Sequence, residues 1–363
     1  MDGMRIWYFG HYMEWYPRNR VIRKGLARAG AELIPAPAPA NRILRWPGLM
    51  LKAASLAGKI PQAIIVPECD LESFPAAWVI GRGLGALVVY DAFYSRWDAL
   101  VNDEAEIPRA SLKARLTWRL EKFALKHSDL VLCDTTAHGE YIADTYGVGR
   151  DKFETVYVGA DEELFHPRPV GEDGEFLVHY HGFYHRLQGA PAIIEAAAIL
   201  KGEPDLRFEM IGTRASPAFK EVMAKVEKHK PGNVTFVDTL PIDQIPGRMA
   251  RASVCLGIFG KTGFGERVFP NKGFQTLAMG IALITRESRG SREVGNSGEH
   301  FLAIAPEDGK ALAEAILLLK NDPARRKEIA AKGKQLYDQR FSPGAIGKLL
   351  LSRLERELGK GRA

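Results

Sequence analysis

The stretch FLVHYHGFYHRLQG carries three histidines within seven residues, His179, His181 and His185. Imidazole groups this close together raise two hypotheses, a metal site or a loop that binds phosphate. Alternate residues of a strand point to the same face, so His179 and His181 should share one side while His185 falls in the following loop. A zinc site needs further ligands at suitable spacing, and the chain contains neither HExxH nor CxxC. The sequence therefore predicts no metal here.

The loop in this stretch has the features of an anion-binding turn. Gly182 ends the predicted strand, and Gly189 precedes the apolar helix APAIIEAAAIL. A glycine-bounded loop that runs from a strand into a helix presents backbone N–H groups and the positive helix end to an anion. Arg186 adds a planar guanidinium that matches phosphate. We predict a phosphate-binding loop, and an ordinary structural turn is the alternative.

A second glycine-rich loop lies in SVCLGIFGKTGFGERVFPNKGFQTLAMGIALIT. Gly260, Gly263 and Gly265 would let the backbone approach a ligand closely. Asn271 suits a helix start after proline, and Lys272 then lies in the first helical turn, where a bound anion would be. Two such loops from one domain would bind a diphosphate without metal. A pair of ordinary α/β turns is the alternative.

Short apolar runs alternate with helical patterns along the chain, which predicts parallel sheets with helices on both faces. The predicted strands are MRIWYFG, QAIIVP, GALVVYD, DLVLC and FETVYV in the first half and FLVHYH, LRFEMIG, NVTFV, SVCLGIF and IALIT in the second. The predicted helices span residues 18–29, 111–126, 190–201, 216–228, 271–279 and 309–320. The fold class is therefore α/β, with two doubly wound, Rossmann-like domains.

Proline and glycine interrupt this pattern in residues 161–175, DEELFHPRPVGEDGE, which we interpret as an interdomain linker. The predicted domains are residues 1–165 and 172–340. Ligands of such sheets bind beyond the carboxyl ends of the strands, so we expect loops of both domains to face a shared cleft.

In the first half, the loop after the first strand contains Gly10, His11 and Tyr12, and Arg18 lies at the start of the next helix. By the same strand-end rule, this loop should face the cleft and could contact a phosphate. For Arg18, an arginine on the surface of a helix start is the alternative.

The composition is that of a globular protein of more than one domain, with 363 residues, 46% hydrophobic and 26% charged. Three widely separated cysteines indicate a reducing compartment without disulfides. The N-terminal residues lack a signal-peptide pattern, and no segment approaches the length of a membrane span. We therefore expect a cytoplasmic protein.

Basic charge is concentrated at the start of the chain, where residues 1–60 contain ten Lys and Arg residues against three acidic ones. Within them, residues 42–59 interleave basic residues with Trp46, Met50 and Leu51. Such a segment could contact an anionic membrane on its cytoplasmic face, and a solvated helix face is the alternative. Nucleic acid is not an expected partner, because no recognised module or long basic run accompanies the charge.

Several segments match motifs of one enzyme family. VYVGADEELFHP is similar to a domain-junction signature, HGFYHRLQGAPAIIEAAAIL to the first loop and helix of a C-terminal domain, and FEMIGT to a strand that approaches a donor. FPNKGFQTLAMGIALIT is similar to a donor-site helix, and YDQRFSPGAIGKLLLSRLEREL to a helix that crosses back to the N-terminal domain. Nearly end to end, the chain resembles the retaining GT-B glycosyltransferases of family 4 (glycosyl transferases group 1).

The resemblance implies a GT-B fold, with two Rossmann-like domains facing each other across a cleft and helix 342–360 returning to the first. Residues 1–165 would bind the acceptor, and residues 172–340 a nucleotide-diphosphate sugar such as a UDP- or GDP-sugar. The sugar would pass with retention to a hydroxyl of a carbohydrate or lipid-linked acceptor, without metal or cofactor. Preorganised cations would stabilise the diphosphate charge as the glycosidic bond breaks.

The candidate site residues divide by role. The catalytic candidates are Asp91, Arg186 and Lys272, and the acceptor-side candidates are His11, Tyr12, Arg18 and Asp91. The candidates for the donor diphosphate and sugar are Gly10, Gly182, Arg186, Gly265, Glu266, Arg267, Asn271 and Lys272. The candidates for the nucleoside are Gly212, Thr213, Asp238, Leu240 and Gln275.

The chain departs from the family pattern at several of these positions. A Glu-x7-Glu pair is frequent around the donor-site helix, and Arg267 and Gln275 stand at those positions. Gln275 could still bond ribose hydroxyls, though more weakly than a carboxylate, and Glu266 could serve as the acid near the sugar. Asp91 stands where the family often has a histidine, and it is a candidate base or acceptor ligand. A helix or turn cap is the alternative for Asp91.

Two further functions remain in competition with transfer. The missing Glu pair favours a GT-B-like binding or scaffold protein without catalysis. A nucleotide-sugar epimerase would need no acceptor. A Rossmann dehydrogenase is disfavoured, because the first strand runs into FGHYMEWYPRN and not into G-x-G-x-x-G.

Overall fold

The computed structural model describes residues 3–104, 106–169, 174–215 and 218–360. The chain divides into two compact units, one of Met1–Gly159 with Ser342–Ala363 and the other of Ala160–Phe341. The break therefore lies at the start of the segment interpreted as a linker, whose residues 170–173 lie outside the described residues.

The first unit is built on a parallel six-stranded sheet in the order β2-β1-β3-β4-β5-β6. Its strands are β1 Arg5–Gly10, β2 Glu32–Pro37, β3 Ala63–Val66, β4 Leu87–Phe93, β5 Leu130–Cys133 and β6 Phe153–Thr155. Its helices are α1 Pro17–Arg28, α2 Arg42–Ser55, α3 Phe74–Leu84, α4 Arg96–Asp98, α5 Leu112–His127, α6 Thr136–Tyr146 and the C-terminal α14 Pro343–Lys360. β3 and β5 are apolar and buried throughout, as expected of strands covered on both faces.

The C-terminal helix α14 packs on α1, which confirms the predicted return of the chain to its first unit. Two glycines allow the backbones of these helices to touch. A Cβ at Gly25 would lie 2.9 Å from the amide nitrogen of Gly347, and a Cβ at Gly347 would lie 1.9 Å from the carbonyl oxygen of Gly25. Close packing at this crossing therefore depends on both residues.

The second unit repeats the scheme with the strand order β12-β11-β10-β7-β8-β9. Its strands are β7 Phe176–His181, β8 Leu206–Ile211, β9 Val234–Val237, β10 Val254–Leu256, β11 Ala282–Arg286 and β12 Leu302–Ile304. Its helices are α7 Ala190–Ile199, α8 Phe219–His229, α9 Ile245–Ala250, α10 Asn271–Met279, α11 Arg289–Val294, α12 Gly309–Asn321 and α13 Pro323–Arg340. Both sheets are parallel, which confirms the predicted α/β class.

The sequence patterns did not predict β2 and β12. β2 contains Pro35 and Pro37, which argue against a central strand, but it lies at the edge of its sheet, where proline is tolerated. β12 is only three residues long and also lies at an edge. Each sheet has one point where the chain reverses its direction of winding, between β1 and β3 and between β7 and β10, and ligands of doubly wound sheets bind at such points.

Helix α2 covers most of the segment considered for membrane contact. Leu44, Trp46, Met50 and Leu51 are exposed on it. Arg45, which the sequence suggested as part of the basic surface, is instead 5% exposed, and its Nη1 lies 3.1 Å from Oδ1 of Asp70. The expectation that Arg45 belongs to a basic, membrane-binding surface is therefore corrected, because a buried, paired arginine is not available to a membrane.

Candidate active site

The two loops predicted to bind phosphate meet at the point where the second sheet reverses. The amide of Phe259 donates to the carbonyl of Gln188 at 3.0 Å, and the amide of Gly260 donates to the carbonyl of Leu187 at 3.0 Å. Gly189 has a positive φ of 61°, and a Cβ there would lie 2.3 Å from the amide nitrogen of Gly260. Only glycine fits this approach, so the loop after β7 and the loop after β10 form one continuous backbone surface.

Lys272 lies in the first turn of α10, as predicted, and it is buried beside the first loop. Its Nζ lies 3.9 Å from the ring centroid of Tyr180 and 2.5 Å from Oε1 of Gln188. A Cβ at Gly182 would lie 2.9 Å from the same Nζ. Lys272 is 6% exposed, and it makes no ion pair with a carboxylate among the described residues. Burial holds the pKa of Lys272 well below its ordinary value of 10.5.

A buried amine without a counter-ion is costly in an empty site and favourable once an anion arrives. The start of α10, with Asn271 as its first residue, adds the positive end of the helix at the same place. This arrangement can hold a phosphate group.

The exposed side chain of Arg186 lines a groove of about 710 Å³ beside α7 and α8, together with Lys225 and Lys228. Lys272 and Gly182 are not among the residues that line this groove.

His179 and His181 belong to a chain of hydrogen bonds that ends at Gln275. Nδ1 of His179 lies 3.2 Å from Oε2 of Glu209, and Nε2 of His179 lies 3.1 Å from Nδ1 of His181. Nε2 of His181 then lies 2.9 Å from Oε1 of Gln275. Among the described residues no group of three or more His, Cys, Asp or Glu side chains is placed to hold a metal. His185 is exposed and lies outside this chain of contacts.

The protonation states of these hydrogen-bonded side chains follow from the charged group at one end, Glu209. Burial alone would raise the pKa of Glu209, but His179 and Arg248 outweigh it and hold that pKa below its ordinary value. Glu209 is therefore ionised and only accepts, so His179 must donate from Nδ1. Burial lowers the pKa of both histidines, which keeps both neutral. Nε2 of His179 then accepts from Nδ1 of His181, and Nε2 of His181 accepts from Gln275.

This order requires the amide of Gln275 to be turned over, because Oε1 is the atom opposite His181 Nε2 and an oxygen without a proton cannot donate to it. An acceptor at His181 Nε2 requires the NH2 end of the amide opposite it, because amide oxygen and nitrogen are told apart by their hydrogen-bond partners. The carbonyl oxygen of Gln275 then points away from His181. At this position the side chain can accept a hydrogen bond from a ligand hydroxyl, as a carboxylate would.

Glu266 connects the second loop to α11 and β11. Its Oε2 lies 2.8 Å from Nη2 of Arg286, and its Oε1 accepts from the amide of Arg289 at 3.0 Å. A Cβ at Gly265 would lie 2.7 Å from Nη1 of Arg286. Arg286 is 4% exposed. It was not predicted as a site residue, although a basic residue at the end of an apolar strand could have indicated one. Arg267 follows Glu266 and is half-buried.

The four remaining nucleoside candidates lie on neighbouring loops after β8 and β9. The amide of Gly212 donates to the carbonyl of Val237 at 3.1 Å, which ties these loops together. A Cβ at Gly212 would lie 2.1 Å from the carbonyl oxygen of Gly182, so this loop also touches the phosphate-type loop. Thr213 and Leu240 are half-buried, and Asp238 is exposed.

Arg18 and Asp91 bond each other in the interior of the first unit. Nε of Arg18 lies 2.7 Å from Oδ2 of Asp91, Nη2 lies 2.7 Å from Oδ1, and Nη1 donates to the carbonyl of Val156 at 2.6 Å. Both side chains are 0% exposed. We correct the expectation that they contact the acceptor, because a fully buried bidentate ion pair offers no free atom to a substrate.

Gly10 ends β1, and His11 and Tyr12 follow it, at the point where the first sheet reverses. The amide of His11 donates to Oδ2 of Asp70 at 2.6 Å. Gly10 has a φ of 145°, and a Cβ there would lie 2.6 Å from the same oxygen. His11 and Tyr12 line a pocket of about 510 Å³, whereas Gly10 is not among its lining residues. The sequence analysis missed Glu68, which lines the same pocket.

In the part of the chain that the structure describes, no helix combines the length and apolar character needed to span a bilayer.

Comparison with known proteins identifies a matching family model and solved structures of similar fold. Residues 175–322 match the family described as "Glycosyl transferases group 1". A solved structure of Anabaena HepE in complex with UDP is 14% identical and has a TM-score of 0.72, covering 97% of this chain and 100% of that one. Sucrose-phosphate synthase from Thermosynechococcus elongatus is 17% identical with a TM-score of 0.73, covering 99% of this chain and 100% of that one.

Among curated proteins, spore coat protein SA of Bacillus subtilis is 21% identical over 239 residues, which is 60% of this chain and 62% of that protein. The match thus spans somewhat less than two thirds of that relative. The fold is GT-B, as predicted. The predicted resemblance to glycosyl transferases group 1 is thereby confirmed for residues 175–322, within a chain that has the GT-B fold, whereas retention and membership of family 4 stay predictions.

Proposed function

We propose that this protein is a glycosyltransferase that moves a sugar from a nucleotide-diphosphate sugar to a hydroxyl acceptor. The observation that carries the proposal is Lys272, a buried amine without a carboxylate partner among the described residues, at the start of α10 and beside Gly182. Such a group is matched to a diphosphate, whose charge grows as the glycosidic bond breaks.

UDP is the proposed nucleotide of the donor. Structures of Anabaena HepE, which shares the fold, are described in complex with UDP and with UDP-glucose. The loops with Gly212, Thr213, Asp238 and Leu240 would hold the base. With the Gln275 amide turned so that its NH2 group donates to His181, its carbonyl oxygen would accept from a ribose hydroxyl.

The proposed transfer proceeds with retention and without metal. Retention rests on the resemblance to family 4. Metal independence is supported by the protein's own positive groups around the second loop, namely Lys272 and the start of α10, whereas Arg286 is already paired with Glu266. Arg186 remains a proposed ligand on the neighbouring groove, where it can bind an outer phosphate or sugar oxygen.

The first experiment is a thermal-shift panel of UDP, GDP, ADP, dTDP and CMP with their sugars, each with and without EDTA. Stabilisation by one nucleoside diphosphate that EDTA does not change supports the proposal and identifies the base. Stabilisation that EDTA abolishes contradicts metal independence. If the stabilising nucleotide sugar is neither transferred nor hydrolysed, the non-catalytic binding function replaces transfer.

A lipid-linked acceptor and peripheral membrane contact through α2 are a second part of the proposal. The exposed side chains of Leu44, Trp46, Met50 and Leu51 support it, with Lys52 half-buried among them. Trp46→Glu together with Leu51→Glu should abolish co-sedimentation with anionic vesicles. Leu112→Glu, on an equally exposed leucine of α5, is the matched control. Unchanged sedimentation of the double variant would exclude membrane contact by α2.

A further inference from the structure

The pocket of about 510 Å³ in the first unit has the size and position of a ligand site. It lies beyond the carboxyl ends of β1, β3 and β4, where the winding of the sheet reverses. Two of its neighbouring residues hold positive φ angles without being glycine, Cys69 at 54° and Phe93 at 59°. Backbone strain of this kind persists where the surrounding structure enforces it, and it concentrates at binding sites.

Three side chains that line this pocket have a buried polar atom without a hydrogen-bond partner among the described residues. These atoms are Oε2 of Glu68, Oη of Tyr12 and Nε of Arg45. Neighbouring polar atoms of Glu68 and Arg45 already have hydrogen-bond partners. Oε1 of Glu68 accepts from Asn19 Nδ2 at 2.9 Å, and Nη1 of Arg45 is paired with Asp70.

Buried polar atoms are satisfied in most proteins, so each exception calls for a partner. Together these three atoms offer a carboxyl oxygen, which donates when protonated and accepts when ionised, a hydroxyl and an N–H donor within one cavity. A single ligand with several hydroxyl groups could satisfy all three.

The charges around the pocket exclude a phosphate as the best ligand. Two arginines line it, against four carboxyl groups. Both arginines are already paired, Arg45 with Asp70 at 3.1 Å and Arg96 with Glu72 at 2.8 Å. Burial raises the pKa of Glu68 to about 8, so its carboxyl group is mostly protonated at neutral pH. An added phosphate would face Glu104 and find no unpaired arginine in the pocket. An uncharged ligand avoids this repulsion.

We propose that this pocket binds an uncharged sugar, and that hydroxyl groups of this sugar make hydrogen bonds with Oε2 of Glu68, Oη of Tyr12 and Nε of Arg45. The proposal rests on the proposed function only in identifying this sugar as the acceptor. Glu68 and Tyr12 determine its position, and no described ion pair must break to admit it.

The test uses the full chain with methyl glycosides of glucose, galactose, mannose and N-acetylglucosamine, and glucose 6-phosphate as the anionic comparison. Binding is measured by saturation-transfer NMR and titration calorimetry for the wild type, Glu68→Gln and Tyr12→Phe. Glu68→Gln keeps an acceptor for Asn19, and Tyr12→Phe removes only the hydroxyl. Glu32→Gln, at an exposed ion pair with Arg5 of the same unit, is the control. Circular dichroism during thermal unfolding identifies variants that fail to fold.

At least one neutral glycoside should bind, and each variant should weaken it by about threefold to tenfold, the range for one hydrogen bond. Glucose 6-phosphate should bind more weakly than the neutral sugar. The proposal is overturned if no glycoside binds, if Glu68→Gln and Tyr12→Phe match the control, or if the phosphate binds best.

UDP binding is measured on the same samples to separate this proposal from the proposed function. UDP binding without glycoside binding would refute the pocket alone. Glycoside binding without any nucleotide binding would refute the donor site and leave the pocket.

Discussion

Replacing Lys272 by Met should weaken UDP binding and stabilise the empty protein. The side chain is 6% exposed and has no carboxylate partner among the described residues. Met preserves most of its volume and its packing on the ring of Tyr180, whose centroid lies 3.9 Å from Nζ. The substitution therefore removes the amine and leaves the surrounding loops in place.

The magnitude follows from the loss of one charge-assisted hydrogen bond to phosphate, about 1.5 to 3 kcal/mol. At 1.4 kcal/mol per factor of ten, the dissociation constant of UDP should rise roughly tenfold to a hundredfold. Transfer should fall at least as much, because the charge on the diphosphate increases as the bond breaks.

The pH dependence gives an independent signature of the same group. Burial holds the pKa of Lys272 below 10.5, and a bound diphosphate should raise it again. UDP binding should therefore take up protons and weaken as pH rises through the lowered pKa, and Lys272→Met should lose this dependence. In the empty protein, a lysine with a depressed folded pKa destabilises the fold at pH values below 10.5. Lys272→Met should for that reason melt at a higher temperature at neutral pH.

Titration calorimetry in buffers of different ionisation enthalpy measures both the affinity and the proton uptake. Lys310→Met, at a lysine whose side chain is 81% exposed, is the control. An affinity for UDP equal to that of the control, with unchanged proton uptake, would refute the assignment of Lys272 to the diphosphate.

Three further outcomes are expected. Glu209→Gln removes the carboxylate that fixes the tautomers of His179 and His181, so the amide of Gln275 is no longer held in one orientation. In a competition assay, UDP should then lose most of its advantage in affinity over 2′,3′-dideoxy-UDP. Glu195→Gln, at an ion pair elsewhere in the same unit, is the control and should leave that advantage unchanged. Burial first, and then Asp91, raises the pKa of Glu68 to about 8 from an ordinary 4.5. The folded state therefore loses stability as pH rises from 4.5 to 8, by up to about 5 kcal/mol at 1.36 kcal/mol per pH unit, and Glu68→Gln should flatten that slope in denaturant titrations. Arg186→Ala should lower turnover about tenfold with little change in melting temperature, since its side chain is exposed; an unchanged rate would remove it from the site.

Most of the sheet architecture could be predicted from sequence because a parallel strand covered on both faces is apolar throughout. The same reasoning brought the loops after β7 and β10 together, since they follow strands on either side of a reversal in winding. It failed at β2, where Pro35 and Pro37 conceal an edge strand. A local pattern shows which residues are apolar, but it does not show which strand lies at the edge.

The side-chain partners were less accessible to sequence reasoning. Arg18 and Asp91 each fit a strand-end site on their own, and nothing in either segment indicates that they pair with each other across 73 positions. The unpartnered oxygen of Glu68 depends on the burial of its surroundings. The contact between His179 and Glu209 was within reach, because these residues stand opposite each other in the register of β7 and β8. The register between neighbouring parallel strands thus indicates side-chain contacts that apolar periodicity alone does not.

The charges at the two reversal points indicate why each unit would take a different ligand. In the second unit, the buried cation Lys272 lacks an anion among the described residues, so an anionic ligand removes the cost of its burial. In the first unit, both arginines of the pocket are already paired, so an anionic ligand would find no free arginine there. If both proposals hold, the same doubly wound topology would give a phosphate site in the second unit and a hydroxyl site in the first. A diphosphate donor that bound in the first unit would lose the proposed contact with Lys272 and find both arginines of the pocket already paired, so charge should direct the donor to the second unit.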